Sequence, residues 1–173
     1  MSSEHSIPGR RWVAKLFASV AIAMLGLGSA SVGVSAAGGP FADLSGGWAG
    51  NGTVTYASGT KERLRCKVKY SQTNADSVLQ ALRCASDSYK FEINAYYKDN
   101  GGRLSGHWAE LTLQISGSIT GITSAGRIAG VLHGPGFTAA VAVRTDGNEQ
   151  TVTISSADKD IREVTVAVRK SGN

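Results

Sequence analysis

From residue 46 to residue 169 the chain is a succession of short β-prone runs, separated by clusters of Gly, Asn, Asp and Ser. No stretch there shows the apolar period of a long amphipathic helix. The separators are short: ASGTK, TNADS, DNGG, SAG, GPG and DGN. Parallel crossovers need about a dozen residues or more, so links of this length join antiparallel neighbours. Strands are predicted at 46–56, 62–71, 78–86, 88–98, 103–110, 111–121, 127–133, 136–144, 149–155 and 161–169. The fold class is all-β, a single antiparallel meander of about 8–10 strands. A sheet of that size curls into a barrel or folds into a sandwich, and both obey the same alternation.

The run ERLRCKVKYSQ shows the alternation best. Leu64, Cys66, Val68 and Tyr70 take one face; Arg63, Arg65, Lys67 and Lys69 take the other. Period two with this contrast means one face buried and one in water. The basic stripe is either a solvated face or a contact for acidic envelope polymers. The two cysteines, Cys66 and Cys84, set the register of the hairpin. Their midpoint is Ala75, inside the turn-like TNADS. Folding there puts Cys66 opposite Cys84, Val68 opposite Leu82 and Tyr70 opposite Gln80, all on one face. A cross-strand disulfide follows. No C-x-x-C accompanies it, so it is read as structural rather than redox-active.

In the next strand Tyr89, Phe91, Ile93, Ala95 and Tyr97 share a face. Later inner faces are lighter: Phe137, Ala139, Val141 and Val143, then Val152 and Ile154, then Val164, Val166 and Val168. Such small side chains imply either close packing or a cavity. The phase slips between Trp108 and Leu111, which predicts a bulge or corner near Ala109–Glu110. The heptads LSGGWAG at 44–50 and LSGHWAE at 104–110 are nearly alike, but the chain diverges after each. Two independent strands, each supplying a Trp plug beside glycine, is preferred to a tandem duplication.

The N-terminus reads as an address rather than a fold. Arg10, Arg11 and Lys15 precede an Ala-, Gly- and Ser-diluted apolar run that ends in GVSAAGG, the layout of a cleaved secretory signal over residues 1–36. GRRWVAK resembles the twin-arginine export pattern, so that route is open. An uncleaved anchor is the alternative. A short segment, 37–44, then leads into a β domain at 45–170. Cleavage removes Glu4 with the three basic residues, which lowers the formal charge from +5 to about +3. That is too weak to argue for nucleic acid. An even cysteine count suits a periplasmic or secreted location, and two cysteines are too few for a structural zinc site.

GGWAGNGTVTYASGTKERLRC with LRCASDSYKFEI and SGHWAE resembles a family of uncharacterised secreted proteobacterial proteins. That resemblance implies an envelope location and a β fold. LSGGWAG also resembles the G-x-W opening of lipocalin-like barrels, the calycin group, and of small secreted metalloprotease-inhibitor barrels with one disulfide. These imply that the meander closes into a lipocalin-like barrel, with the β-sandwich as alternative.

No catalytic constellation is legible. His107, His133 and Glu110 lack the short spacing of a metal site. Asp87-Ser88 reads as a turn, and DNGG and GPGF do not lead into helices as phosphate loops do. No metal and no cofactor is expected. The aromatics Trp48, Tyr70, Tyr89, Phe91, Tyr97 and Trp108 are read as core or as the wall of a pocket for a small apolar or aromatic ligand. In a pocket, Gln80, Arg83 or Glu110 would orient the ligand. The expected function is non-enzymatic binding of such a molecule in the periplasm or outside the cell. The alternative is a structural or interaction protein of the envelope, such as a protease inhibitor or a binder of acidic polysaccharide, acting through strand 62–70 or segment 37–44.

Overall fold

The structure, a computed structural model, describes residues 38–157 and 160–171. The expected signal at 1–36 lies outside the described residues. Ten strands are present among them: β1 (Gly46–Tyr56), β2 (Lys61–Asn74), β3 (Ser77–Ala85), β4 (Lys90–Asp99), β5 (Arg103–Glu110), β6 (Ile115–Ser124), β7 (Arg127–Gly134), β8 (Phe137–Asp146), β9 (Glu149–Ser156) and β10 (Ile161–Lys170). Each pairs antiparallel with the next, as the short links require. β1 also pairs antiparallel with β10, with Trp48 opposite Lys170 and Val54 opposite Val164. The sheet is therefore a closed barrel and not a sandwich. Closure leaves no unpaired strand edge.

The seam needs small residues. Gly50 and Gly52 point inward on β1 between Trp48 and Val54. A Cβ built on Gly50 would lie 2.1 Å from the carbonyl oxygen of Ala167 on β10. Strong coiling brings the two backbones that close, and only glycine accepts it.

The hairpin β2–β3 has the register set by its cysteines. Cys66 is bonded to Cys84 with Cα atoms 4.1 Å apart, Val68 faces Leu82, and Tyr70 faces Gln80. The turn falls between Asn74 and Ser77, and Asn74 Oδ1 accepts a hydrogen bond from the Asp76 N–H at 3.2 Å. The inward face of β2, Leu64, Cys66, Val68 and Tyr70, is buried in the core.

Two strand starts differ from expectation. β4 begins at Lys90 rather than 88, because Ser86 Oγ accepts the N–H groups of Ser88 and Tyr89 and folds 86–89 into a turn. β6 begins at Ile115 rather than 111. The phase slip is resolved by a turn over 111–114, not by a bulge inside a strand. Gln114 adopts a φ of 56°, the left-handed region. The Glu110 carboxylate accepts the N–H groups of Thr112 and Leu113, which holds LTLQ as a turn despite its alternating apolar pattern.

Because neighbours alternate in direction, the connections divide between two ends. One end carries the connections after β2, β4, β6 and β8, together with the segment 38–45. That segment is anchored by its apolar side chains, while Ala42 and Asp43 stay exposed. Phe41 and Leu44 are buried, and the Trp48 indole N–H donates to the Leu44 carbonyl at 2.7 Å. The ammonium of Lys170 lies 5.5 Å from the centre of the Trp48 ring and donates to the Asp43 carbonyl. This end is closed.

The disulfide closes an 18-residue separation. Replacing both cysteines by serine is expected to lower the unfolding free energy by about 3 kcal/mol, read from urea denaturation of the oxidised parent and the double variant.

Candidate functional site

The inner faces do not fill the barrel. A cavity of about 590 Å³ runs through its interior. At the closed end it meets Leu44, Tyr70 and Gln150. At the opposite end, the mouth, it reaches Leu113, Asp160 and Ile161. Leu113 is 72% exposed, and Leu111 beside it is 49% exposed, so the mouth has an apolar lip. Between the two ends the wall is almost wholly apolar, with Phe91, Ile93, Ile119, Leu132, Phe137 and Ile154 among the lining residues.

Five of the aromatic and acidic candidates line this cavity: Tyr70, Phe91, Tyr97, Trp108 and Glu110. Trp48 and Tyr89 do not, and the expectation is corrected for both. Trp48 is buried in the wall at the closed end, with its ring edge-on to Tyr70 at 6.5 Å. Its strand position, two residues from the start of β1, commits it to the plug. Tyr89 falls in the 86–89 turn at the mouth. It stacks on Phe91, and its hydroxyl lies 3.4 Å from that of Tyr56. Tyr56 also donates to Glu62 at 2.9 Å. Hydrogen bonds from Ser86, Tyr56 and Ser88 hold the Glu62 carboxyl down to about 2. Arg83 is corrected as well: it points outward and pairs with Glu92 at 3.2 Å, so it cannot orient anything inside.

Trp108 lies flat over Gly117 on the neighbouring strand. A Cβ there would meet Trp108 Cζ2 at 2.7 Å. The indole N–H donates to the Ser118 carbonyl, and the ring packs on Phe137 at 6.0 Å. The repeated heptad therefore serves two ends: Trp48 plugs one, and Trp108 walls the cavity near the other.

The polar groups of the interior are few and paired. The Tyr70 hydroxyl donates to Gln150 Oε1 at 2.9 Å, and Gln150 Nε2 donates to Thr145 Oγ1 at 3.0 Å. The Tyr97 hydroxyl donates to Gln80 Oε1 at 2.9 Å. Burial pushes both phenols above their ordinary value; the Gln150 bond opposes this at Tyr70, and the nearby Tyr70 adds to it at Tyr97. Both remain neutral donors. Gln150 was missed from sequence, although it shares the parity of Val152 and Ile154.

Glu110 is anchored rather than free. Its carboxylate accepts N–H groups from Leu113 and Thr112, and from Glu92 across the β4–β5 pair. Burial opposes ionisation, yet the backbone donors outweigh it and hold the carboxyl below its ordinary range. His107 and His133 flank Ser118 on the outer face, opposite in direction to Glu110, so these three do not converge. Among the described residues no group of three or more metal-ligating side chains is assembled. The basic residues Arg63, Arg65, Lys67 and Lys69 are exposed along the outside of β2, and Arg65 is paired with Asp87 at 3.6 Å.

No protein-family model matches the chain, and neither does any curated protein sequence. Solved structures do resemble it. Rv2717c from M. tuberculosis aligns at a TM-score of 0.63 and 12% identity, over 76% of this chain and 95% of that one. The S-type phycobiliprotein lyase CPES from Guillardia theta aligns at 0.53 and 12% identity, over 77% and 91%. A protein of the DUF3598 family from Nostoc punctiforme aligns at 0.52 and 12% identity, over 75% of this chain and 48% of that one. At these identities the likeness is one of fold: a lipocalin-like β-barrel.

The Glu110 anchor gives a pH signature. A depressed folded value means its stabilisation is present above the ordinary carboxylate range and is lost as the pH falls through the folded value. Glu110→Gln is expected to destabilise the barrel at neutral pH and to flatten the acid limb of unfolding free energy against pH. Parallel limbs in the two proteins would contradict the anchor.

Proposed function

We propose that this chain is an exported, non-enzymatic barrel that holds one small apolar or aromatic molecule. The observation that carries the reading is the apolar cavity of about 590 Å³, open at one end. That volume lies within the range of small-molecule sites, about 300–1,000 Å³. An empty apolar cavity of this size is costly, since its lining atoms lose contact partners. Cavity and cost are reconciled if the interior is occupied in the cell. Tyr70, Phe91, Tyr97 and Trp108 are the aromatic walls of the site, while Glu110 holds the turn beneath the lip. Glu110 is a poor candidate for a catalytic base, because both carboxylate oxygens are committed to backbone donors. The disulfide and the layout of residues 1–36 support a periplasmic or secreted location.

A second reading rests on the outside of β2. Lys67 stands directly opposite Arg83 on β3. Arg83 is neutralised by Glu92, whereas Arg63, Lys67 and Lys69 have no carboxylate partner among the described residues, and neighbouring like charges are unfavourable. An acidic envelope polymer along Arg63, Arg65, Lys67 and Lys69 would relieve them, and an interaction role in the envelope would follow.

Native mass spectrometry of the protein isolated from its own cell envelope separates the two readings. A defined small molecule near one-to-one stoichiometry, released by solvent extraction, is the expected result. A bare chain that still binds an acidic polysaccharide column would favour the outer face.

A further inference from the structure

The cavity is graded along its length. Tyr70, Gln80, Tyr97 and Gln150 all line it, and all lie toward the closed end of their strands. Tyr70 faces Gln80 directly across β2–β3. Toward the mouth the wall turns to Phe91, Trp108, Leu113 and Ile161. Along β4, the run from Tyr97 to Phe91 spans about 20 Å at the usual strand rise.

The hydrogen bonds of the polar ring are not all used. Gln150 is satisfied at both ends of its amide. Gln80 makes one bond, to Tyr97, which leaves its amide N–H groups and the phenol lone pairs open to the cavity. Among the described residues no Lys, Arg or His lines the cavity, and the two carboxylates that do, Glu110 and Asp160, lie toward the mouth, away from the closed end. A charged head at the closed end would therefore be desolvated without a counter-ion, which is strongly unfavourable.

We propose that the ligand is an uncharged amphiphile, bound with a hydroxyl, carbonyl or amide head against Gln80 and Tyr97 at the closed end and its apolar part toward the mouth. This rests on the reading of the barrel as a container. The apolar lip of Leu111 and Leu113 then meets the tail, and the head travels the length of the barrel to reach partners that water no longer supplies.

The test uses the full chain, a neutral solvatochromic dye as reporter, and probes with one tail and three heads: dodecanol, dodecanamide and dodecanoate, at about pH 8 so that the acid is ionised. Octylbenzene serves as the headless control. The expected result is displacement by all apolar probes, with the neutral heads bound on the order of 100-fold more tightly than the carboxylate. Gln80→Leu should weaken dodecanol and dodecanamide by roughly tenfold and leave octylbenzene unchanged. Tyr97→Phe should act in the same direction, and it serves as the second variant if Gln80→Leu does not fold. A dodecanol brominated at its tail end should quench Trp108 rather than Trp48. Equal or tighter binding of dodecanoate, or quenching of Trp48, would overturn the head assignment and leave the container reading intact. Failure of every probe, octylbenzene included, would overturn both.

Discussion

The backbone pairing of β1 with β10 is the contact on which the remainder depends. Without it the ten-strand meander is an open, twisted sheet with two bare edges and a single apolar face. With it the inner faces enclose a volume, and the inside-outside distinction of every strand becomes a distinction between cavity and solvent. The seam is made close by Gly50 and Gly52, where the backbone of β10 occupies the space a side chain would take. The pairing runs from Trp48 opposite Lys170 to Tyr56 opposite Ile161, so it ties the first strand to the last over most of its length.

Closure makes the two ends unequal. At one end the chain arriving before β1 folds over the opening, burying Phe41 and Leu44 and satisfying the Trp48 indole with the Leu44 carbonyl. At the other end the cavity reaches Leu113, Asp160 and Ile161. The 111–114 turn, held by the Glu110 carboxylate, even leaves Leu111 and Leu113 exposed at the lip. Tight packing at the plug and light side chains on β8, β9 and β10 together leave a blind, apolar hollow with its few hydrogen-bonding groups at the bottom.

Much of this was legible before the structure. The ten strands occur nearly where the sequence predicts them, because apolar and polar residues alternate and Gly-, Asn- and Asp-rich links interrupt them. The Cys66–Cys84 register followed from a turn and a spacing that agree. The failures share a cause. LTLQ reads as strand because Leu111, Leu113 and Ile115 alternate, and nothing local says that the Glu110 carboxylate will take the N–H groups of Thr112 and Leu113. Trp48 and Trp108 sit in nearly identical heptads, yet one is sealed in a plug and the other borders the hollow. That difference comes from what arrives from elsewhere, Leu44 and Lys170 at Trp48, and Gly117 and Phe137 at Trp108.

The sequence by itself determined the strands, their antiparallel order, the face each side chain takes and the disulfide, since all of these are set by neighbours in the chain or by one short hairpin. Only the tertiary structure decided that the sheet closes, that its interior is hollow, and that Tyr70, Gln80, Tyr97 and Gln150 meet at one end. Residues such as Val54 and Val164 are paired through backbone hydrogen bonds that carry no side-chain code. An enclosed volume is the difference between the circumference of the whole sheet and the bulk of all its inward side chains, so no single strand specifies it.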